Sequence, residues 1–189
     1  MPANTLPPIL ITGSVRSGST WTGKMLAASP TVGYISEPFN PLLNYYGMTH
    51  EQFYTYVTDA NGGRYIPWVE DLLRFRVRKW ASRKLLEQLH LRVTQPRPLL
   101  KDPVAAMASD WLARHFDMQV VVILRHPAAV VASLLRLGWV VSPDTWTTQP
   151  QLLDDWLSDY ADALTQPDLP LLQRQAYSWL AVYTVLHGF

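Results

Sequence analysis

The chain contains three short apolar runs, which are separated by segments with helical periodicity. The runs lie at residues 8–12, 98–101 and 118–124, and the last is expected to be a strand buried on both faces. The other apolar repeats predict helices at 20–29, 49–59, 67–91, 103–116, 127–137, 149–165 and 169–187. Strands that alternate with helices build a central parallel sheet flanked by helices, so the pattern predicts an α/β fold in a single domain over residues 1–189.

The first strand run ends in a loop of small and hydroxyl-bearing residues. Gly13 and Gly18 bound this loop, and glycine adopts backbone angles that let successive N–H groups turn toward one point. A predicted helix begins just after Gly18 and adds the positive end of its dipole, while Arg16 adds a fixed charge. The segment predicts a phosphate or sulfate site, although glycines at a strand-to-helix turn also serve purely steric needs.

The glycine spacing is that of the nucleotide P-loop, but Ser19 stands where the P-loop has its lysine. The segment from Arg16 to Trp21 instead resembles the 5′-phosphosulfate loop of sulfotransferases that use 3′-phosphoadenosine 5′-phosphosulfate (PAPS). The resemblance is to the carbohydrate and bacterial type with arginine as the loop cation, and it implies a P-loop-like three-layer fold. It also implies a catalytic role for Arg16 and a donor-binding set of Ser14, Arg16, Ser17, Gly18, Ser19, Thr20 and Trp21.

A second arginine follows the third strand run. Arg125 ends that run, and Ser133 lies eight residues later within the predicted helix 127–137. In the sulfotransferase resemblance this pair is the clamp for the 3′-phosphate of the donor. Taken alone, an arginine at a strand end and a serine in a helix groove need no ligand.

Sulfuryl transfer to a hydroxyl or amine requires a base but no enzyme nucleophile. Glu37 is the candidate, because several sulfotransferase families have a glutamate at about this position. Asp102 and His126 are the alternatives, although the step Lys101-Asp102-Pro103 favours a helix-capping role for Asp102 and leaves the role of Lys101 open. The structural alternative for Glu37 is an ion pair with a basic residue in a Pro-rich turn.

Composition narrows the remaining classes of function. The chain is 48% apolar and has no cysteine, and its five histidines lack metal-ligand spacing, so no metal is expected. Its net charge is +1, and the basic stretch between residues 64 and 101 lacks a basic–aromatic binding module, which disfavours nucleic acid. No apolar run approaches the roughly 18 residues of a membrane span and no targeting signal is visible, so a cytoplasmic protein is expected.

The resemblance extends only over the earlier part of a complete sulfotransferase, so the chain is expected to lack the C-terminal part. The expected function is transfer of the sulfuryl group of PAPS to a hydroxyl or amine, with a carbohydrate as one candidate acceptor. Two alternatives stay open. One is a P-loop kinase with an altered loop, which needs magnesium and a triphosphate, and the other is an inactive nucleotide-binding fragment.

Overall fold

The structure, a computed structural model, describes residues 6–42, 53–76 and 85–188. Its described strands form one parallel sheet in the order β2-β3-β1-β4. They are β1 (Ile9–Gly13), β2 (Val32–Ser36), β3 (Arg97–Lys101) and β4 (Gln119–Ile123). Because all strands run the same way, their carboxyl ends meet at one edge of the sheet.

Helices connect the strands and cover the sheet, which makes the predicted α/β three-layer fold. They are α1 (Ser19–Leu26), α2 (Ile66–Leu73), α3 (Leu85–Thr94), α4 (Ser109–Phe116), α5 (Pro127–Leu137), α6 (Asp144–Thr147), α7 (Pro150–Leu152), α8 (Ala161–Thr165) and α9 (Leu171–His187). Single turns of 3₁₀-helix precede α2 and α4, at Gly62–Tyr65 and Val104–Ala108. Across the described ranges, no helix has both the length and the apolar character needed to cross a bilayer.

The two faces of the sheet pack against different helices. Leu10 and Leu100 face a core that includes Trp111 of α4 and Val69 of α2. The opposite face packs under α1, where an added Cβ at Gly23 would lie 2.9 Å from the Tyr34 ring. This glycine is required because α1 lies directly on the strands.

A second core surrounds α9. Val182 of α9, Trp146 of α6 and Tyr54 belong to this cluster, together with Met107 from the 3₁₀ turn before α4. Val15, in the loop after β1, packs against the same cluster. The C-terminal helices therefore support the loop that the sequence identifies as an anion site.

The strand β2 was missed by the pattern of apolar residues. Its sequence includes Gly33, where an added Cβ would lie 2.3 Å from the ring of Phe75. The packing requires a residue without a side chain at this position of β2. The glycine therefore interrupts the run of apolar residues by which a strand is recognised in the sequence. The predicted helix at 49–59 is wrong over its described part, because residues 53–59 form turns and backbone without regular secondary structure, and residues 49–52 lie outside the described residues.

Three predicted helices are interrupted. The prediction at 67–91 is wrong as one helix, because α2 ends at Leu73 and Phe75 has a φ of 53°; residues 77–84 lie outside the described residues. The prediction at 149–165 is also wrong as one helix. That stretch consists of α7, a π-helical turn (Leu153–Leu157), a 3₁₀ turn (Ser158–Tyr160) and α8. In the predicted helix 103–116, the first five helical residues are 3₁₀.

The expectation that the strand at 118–124 is buried on both faces is wrong. β4 lies at an edge of the sheet, and among the described residues only β1 pairs with it. Val121 is 37% exposed, Val122 40% and Leu124 69%. A strand with one neighbour keeps an open backbone edge, and the helices cover its outer side chains incompletely.

Replacing Gly13 by alanine tests the junction of β1, β4 and the loop. Gly13 has a φ of 143°, and an added Cβ would lie 2.4 Å from the Ile123 carbonyl oxygen. We expect Gly13→Ala to lower the free energy of unfolding by about 1–3 kcal/mol, measured by urea titration. Gly63→Ala is the matched control, because open space surrounds Gly63 and its φ is not positive. Equal midpoints for the two variants would contradict this packing.

Candidate functional site

The loop between β1 and α1 has a left-handed backbone at two positions. Arg16 has a φ of 66° and Gly18 a φ of 108°, while the N–H of Ser17 donates to the Ser14 carbonyl at 3.1 Å. Helix α1 begins at Ser19, and its N-cap residue, Gly18, has no side chain with which to cap the first turn. The first N–H groups of a helix have no partner within the helix, so this turn leaves its donors to an external acceptor.

Hydroxyl groups add to these donors. The Oγ of Ser17 is buried and has no hydrogen-bond partner among the described residues. Ser19 is also buried, whereas Thr20 and Trp21 are exposed, Trp21 to 70%. A buried hydroxyl without a partner is costly, and an anion bound in the loop would give Ser17 that partner.

Two tyrosines hold the loop from behind. The backbone N–H of Ser14 donates to the Tyr183 hydroxyl at 3.2 Å, and that hydroxyl donates to the Ile123 carbonyl at 2.7 Å. Tyr54 makes a backbone hydrogen bond with Val15, and burial raises the pKa of the Tyr54 phenol. In this structure Ser14 faces Tyr183. The predicted contact of Ser14 with the sulfuryl donor stays a prediction.

The two predicted arginines and the predicted serine come together at this loop. Arg16 donates from Nε to the Ser133 Oγ at 3.1 Å. Arg125 donates from a terminal nitrogen to the Arg16 carbonyl at 2.9 Å, and its own carbonyl accepts from the Trp179 indole at 3.1 Å. Ser133 is buried at 6% exposure, and its hydroxyl, which accepts from Arg16, still has a proton to donate. The sequence places these residues far apart, and the sheet brings them to one edge.

Glu37 lies beside Lys101 at the carboxyl ends of neighbouring strands. Ser36 of β2 pairs in register with Lys101 of β3, and the Glu37 N–H donates to the Lys101 carbonyl at 2.8 Å. The Lys101 ammonium donates to one Glu37 carboxylate oxygen, while Asn40 donates to the other at 2.8 Å. The lysine side chain is 2% exposed and the glutamate side chain 22%, so the open side of this pair is the carboxylate. The structural alternative, an ion-paired Glu37, is therefore present, with Lys101 as the partner.

Asp102 has the structural role that the sequence favoured. Its carboxylate accepts from the backbone N–H of Val104 at 2.9 Å and from that of Phe39 at 2.6 Å. It thereby caps the 3₁₀ turn before α4 and ties the segment after β2 to β3. Burial and the nearby Glu37 carboxylate together raise the pKa of Asp102 to about 7, against the opposing effects of the two N–H donors and Lys101.

His126 caps α5. Its Nδ1 accepts from the Ala128 N–H at 3.2 Å, and its role as an alternative base stays a prediction. Within residues 6–42, 53–76 and 85–188, no three His, Asp or Glu side chains are grouped as ligands for a metal ion.

Four residues of the site escaped the sequence analysis or were left without a role. Lys101 is a charged residue at the end of a parallel strand, which is typical of a functional position. Its partner could not be predicted from the sequence. Asn40 and Tyr183 gave no local signal, and the contact of Trp139 with Arg16, like their contacts with Glu37 and Ser14, depends on the fold. For Tyr183 and Ser14 the separation is 169 residues.

The raised pKa of Asp102 predicts a pH dependence of stability. A carboxyl whose pKa lies at about 7 in the folded state and 3.8 ordinarily binds its proton more tightly when folded. Its contribution to stability therefore falls as pH rises from about 4 to about 7. We compare the free energies of unfolding of the unsubstituted protein and Asp102→Asn. Their difference should fall over this pH range by an amount on the order of a few kcal/mol and level off above it. Urea titrations across the range measure this, and a difference that rises with pH would refute the assignment.

Comparison with known proteins identifies the family of the chain. A model of the sulfotransferase family matches residues 7–177, a range that contains the loop after β1, Glu37, Lys101, Arg125 and Ser133. The comparison with curated proteins and the comparison with solved structures each gave no match. The family match agrees with the resemblance that the loop suggested and with the three-layer α/β fold. The chain belongs to the sulfotransferase family.

Proposed function

We propose that the protein transfers a sulfuryl group from PAPS to a hydroxyl or amine of an acceptor, with the loop after β1 as the 5′ site of the donor. One observation carries the proposal: the uncapped turn of α1, the unpartnered Ser17 hydroxyl and Arg16 offer their donors together in one loop. Such a set of N–H, O–H and guanidinium groups suits a phosphosulfate anion. Membership of the sulfotransferase family supports sulfuryl transfer as the chemistry.

When bound, PAPS supplies a sulfuryl group on a phosphate leaving group. Arg16 and the N–H groups of the loop stabilise the negative charge that develops on the bridging oxygen while its bond to sulfur breaks. The hydroxyls of Ser17, Ser19 and Thr20 add hydrogen bonds to the same anion. The residues thus favour departure of the phosphate while the new bond forms between sulfur and the acceptor atom in line.

Arg125 and Ser133 hold the 3′-phosphate in this proposal. Arg125 is exposed, and its recorded hydrogen bond goes to a carbonyl, so its positive charge is not neutralised by a carboxylate among the described residues. Ser133 accepts from Arg16 and retains its own proton for a phosphate oxygen. The pair therefore offers the 3′-phosphate a charge and a donor directly beside the 5′ loop.

Glu37 takes the acceptor's proton, and Lys101 acts with it. The ammonium of Lys101 donates to one carboxylate oxygen of Glu37, and Asn40 donates to the other and orients it. Proton transfer to Glu37 leaves the acceptor atom as the nucleophile and requires no covalent enzyme intermediate.

Nucleotide binding tests the donor assignment. We expect 3′-phosphoadenosine 5′-phosphate (PAP) to raise the melting temperature more than 5′-AMP does, because only PAP has the 3′-phosphate that Arg125 and Ser133 hold. Arg125→Ala should weaken PAP binding by about tenfold or more, and Arg136→Ala, at an exposed position of α5, should not. Equal shifts for PAP and 5′-AMP would refute the clamp, and stabilisation by ATP with magnesium alone would favour a kinase.

Substitution of Glu37 tests the base. Glu37→Gln should leave PAP affinity within a few-fold of the unsubstituted protein, because the side chain does not contact the 5′ loop in the structure. It should lower transfer of labelled sulfur from PAPS to carbohydrate and phenolic acceptors by roughly 10²–10⁴. Glu70→Gln is the control, because Glu70 forms an exposed ion pair with Arg74. Normal transfer by Glu37→Gln would exclude Glu37 as the base, and loss of PAP binding would make it a structural residue.

A further inference from the structure

Trp139 is a large aromatic side chain at the edge of the 5′ loop. Its side chain is exposed to 51%, and the Arg16 guanidinium carbon lies 5.8 Å from the centroid of its ring. This separation is within the range in which a cation is attracted to an aromatic face. Trp139 is not a member of the buried clusters that form the core. The contact with Arg16 is thus its distinctive interaction.

The backbone of Trp139 is held on both sides. Gly138 ends α5 with a φ of 65°, and the Trp139 N–H donates back to the Leu134 carbonyl at 3.1 Å. The Trp139 carbonyl accepts from the side-chain amide of Gln175 at 2.7 Å, and Gln175 is fully buried in α9. A rigid turn therefore delivers an exposed ring to one place, next to Arg16.

Arg16 is restrained from two directions. Ser133 accepts from its Nε at 3.1 Å, and its guanidinium carbon lies over the Trp139 ring. Among the described residues, the two terminal nitrogens of Arg16 have no hydrogen-bond partner. A planar guanidinium can donate sideways through Nε, lie over a ring and keep its terminal nitrogens open, whereas the single ammonium of a lysine cannot do all three.

We propose that Trp139 is a positioning residue that aims the terminal nitrogens of Arg16 at the 5′-phosphosulfate. This inference rests on the proposed function, because it assigns Trp139 a part in the same donor site. Trp139 acts through Arg16 and does not itself touch the reacting atoms. Its effect is therefore limited to ligands that carry a 5′ anion, and it disappears when Arg16 is removed.

Calorimetry with two matched nucleotides tests the inference. PAP carries both phosphates, whereas adenosine 3′-phosphate lacks the 5′-phosphate. The affinity for adenosine 3′-phosphate therefore measures only the contacts with the nucleoside and the 3′-phosphate. We expect Trp139→Ala to weaken PAP binding by about two- to tenfold and to leave adenosine 3′-phosphate unchanged. Trp139→Phe should retain most of the PAP affinity because it keeps an aromatic face. Val140→Ala is the control, because Val140 is an equally exposed neighbour and has no recorded contact with Arg16.

A double-mutant cycle completes the test. In an Arg16→Ala background, Trp139→Ala should cause no further loss of PAP affinity, because its only route to the ligand is gone. An equal loss for both nucleotides, additive losses in the cycle, or full PAP affinity in Trp139→Ala would overturn the inference while leaving the donor assignment standing. If the unsubstituted protein does not bind PAP, the proposed function itself fails, and this inference fails with it.

Discussion

The parallel pairing of the four strands is the constraint on which the site depends. It brings the carboxyl ends of β1, β2, β3 and β4 to one edge, and each functional group leaves the sheet there. The 5′ loop follows β1, Glu37 follows β2, Lys101 ends β3 and Arg125 follows β4. Arg16 and Ser133, which are 117 residues apart in sequence, thereby become hydrogen-bond partners. Open α/β sheets bind ligands at this edge for the same reason.

An uncapped helix start needs support, and the C-terminal helices supply it. The loop after β1 leaves its donors open, so its shape has to come from contacts behind it. Tyr183 of α9 bridges Ser14 and the Ile123 carbonyl, while Tyr54 bonds to the backbone of Val15. Both tyrosines belong to, or pack on, the core around α9. The second core thus supports the loop that we propose as the anion site, because those contacts hold its backbone from the side of the core.

The sequence alone predicted those elements that depend only on residues close together in the chain. The 5′ loop is a strand, two glycines and a helix start within a few residues, and all three features follow from residue type. β2 could not be predicted because the ring of Phe75 occupies the space where a side chain at position 33 would lie, so this position is a glycine. The break between α7 and α8 could not be predicted because apolar spacing does not distinguish π and 3₁₀ turns from α-helix. The partners of Glu37 and Arg16 were equally inaccessible. They depend on strand order, which the spacing of residues along the chain does not encode.

The backbone at the two proposed catalytic residues shows how these long-range contacts act. Arg16 and Glu37 have φ values of 66° and 50°, and a left-handed backbone at a residue other than glycine costs about 1–3 kcal/mol. Among the described residues four others share this conformation: Phe75, Gln95 and Asp117 follow the ends of helices, where it is common, and Tyr54 lies in a turn. Arg16 and Glu37 instead follow strands, and each is held by a neighbouring strand: Arg125 donates to the Arg16 carbonyl, and the Lys101 carbonyl accepts from Glu37. The sheet therefore maintains the strain that directs both side chains toward the site.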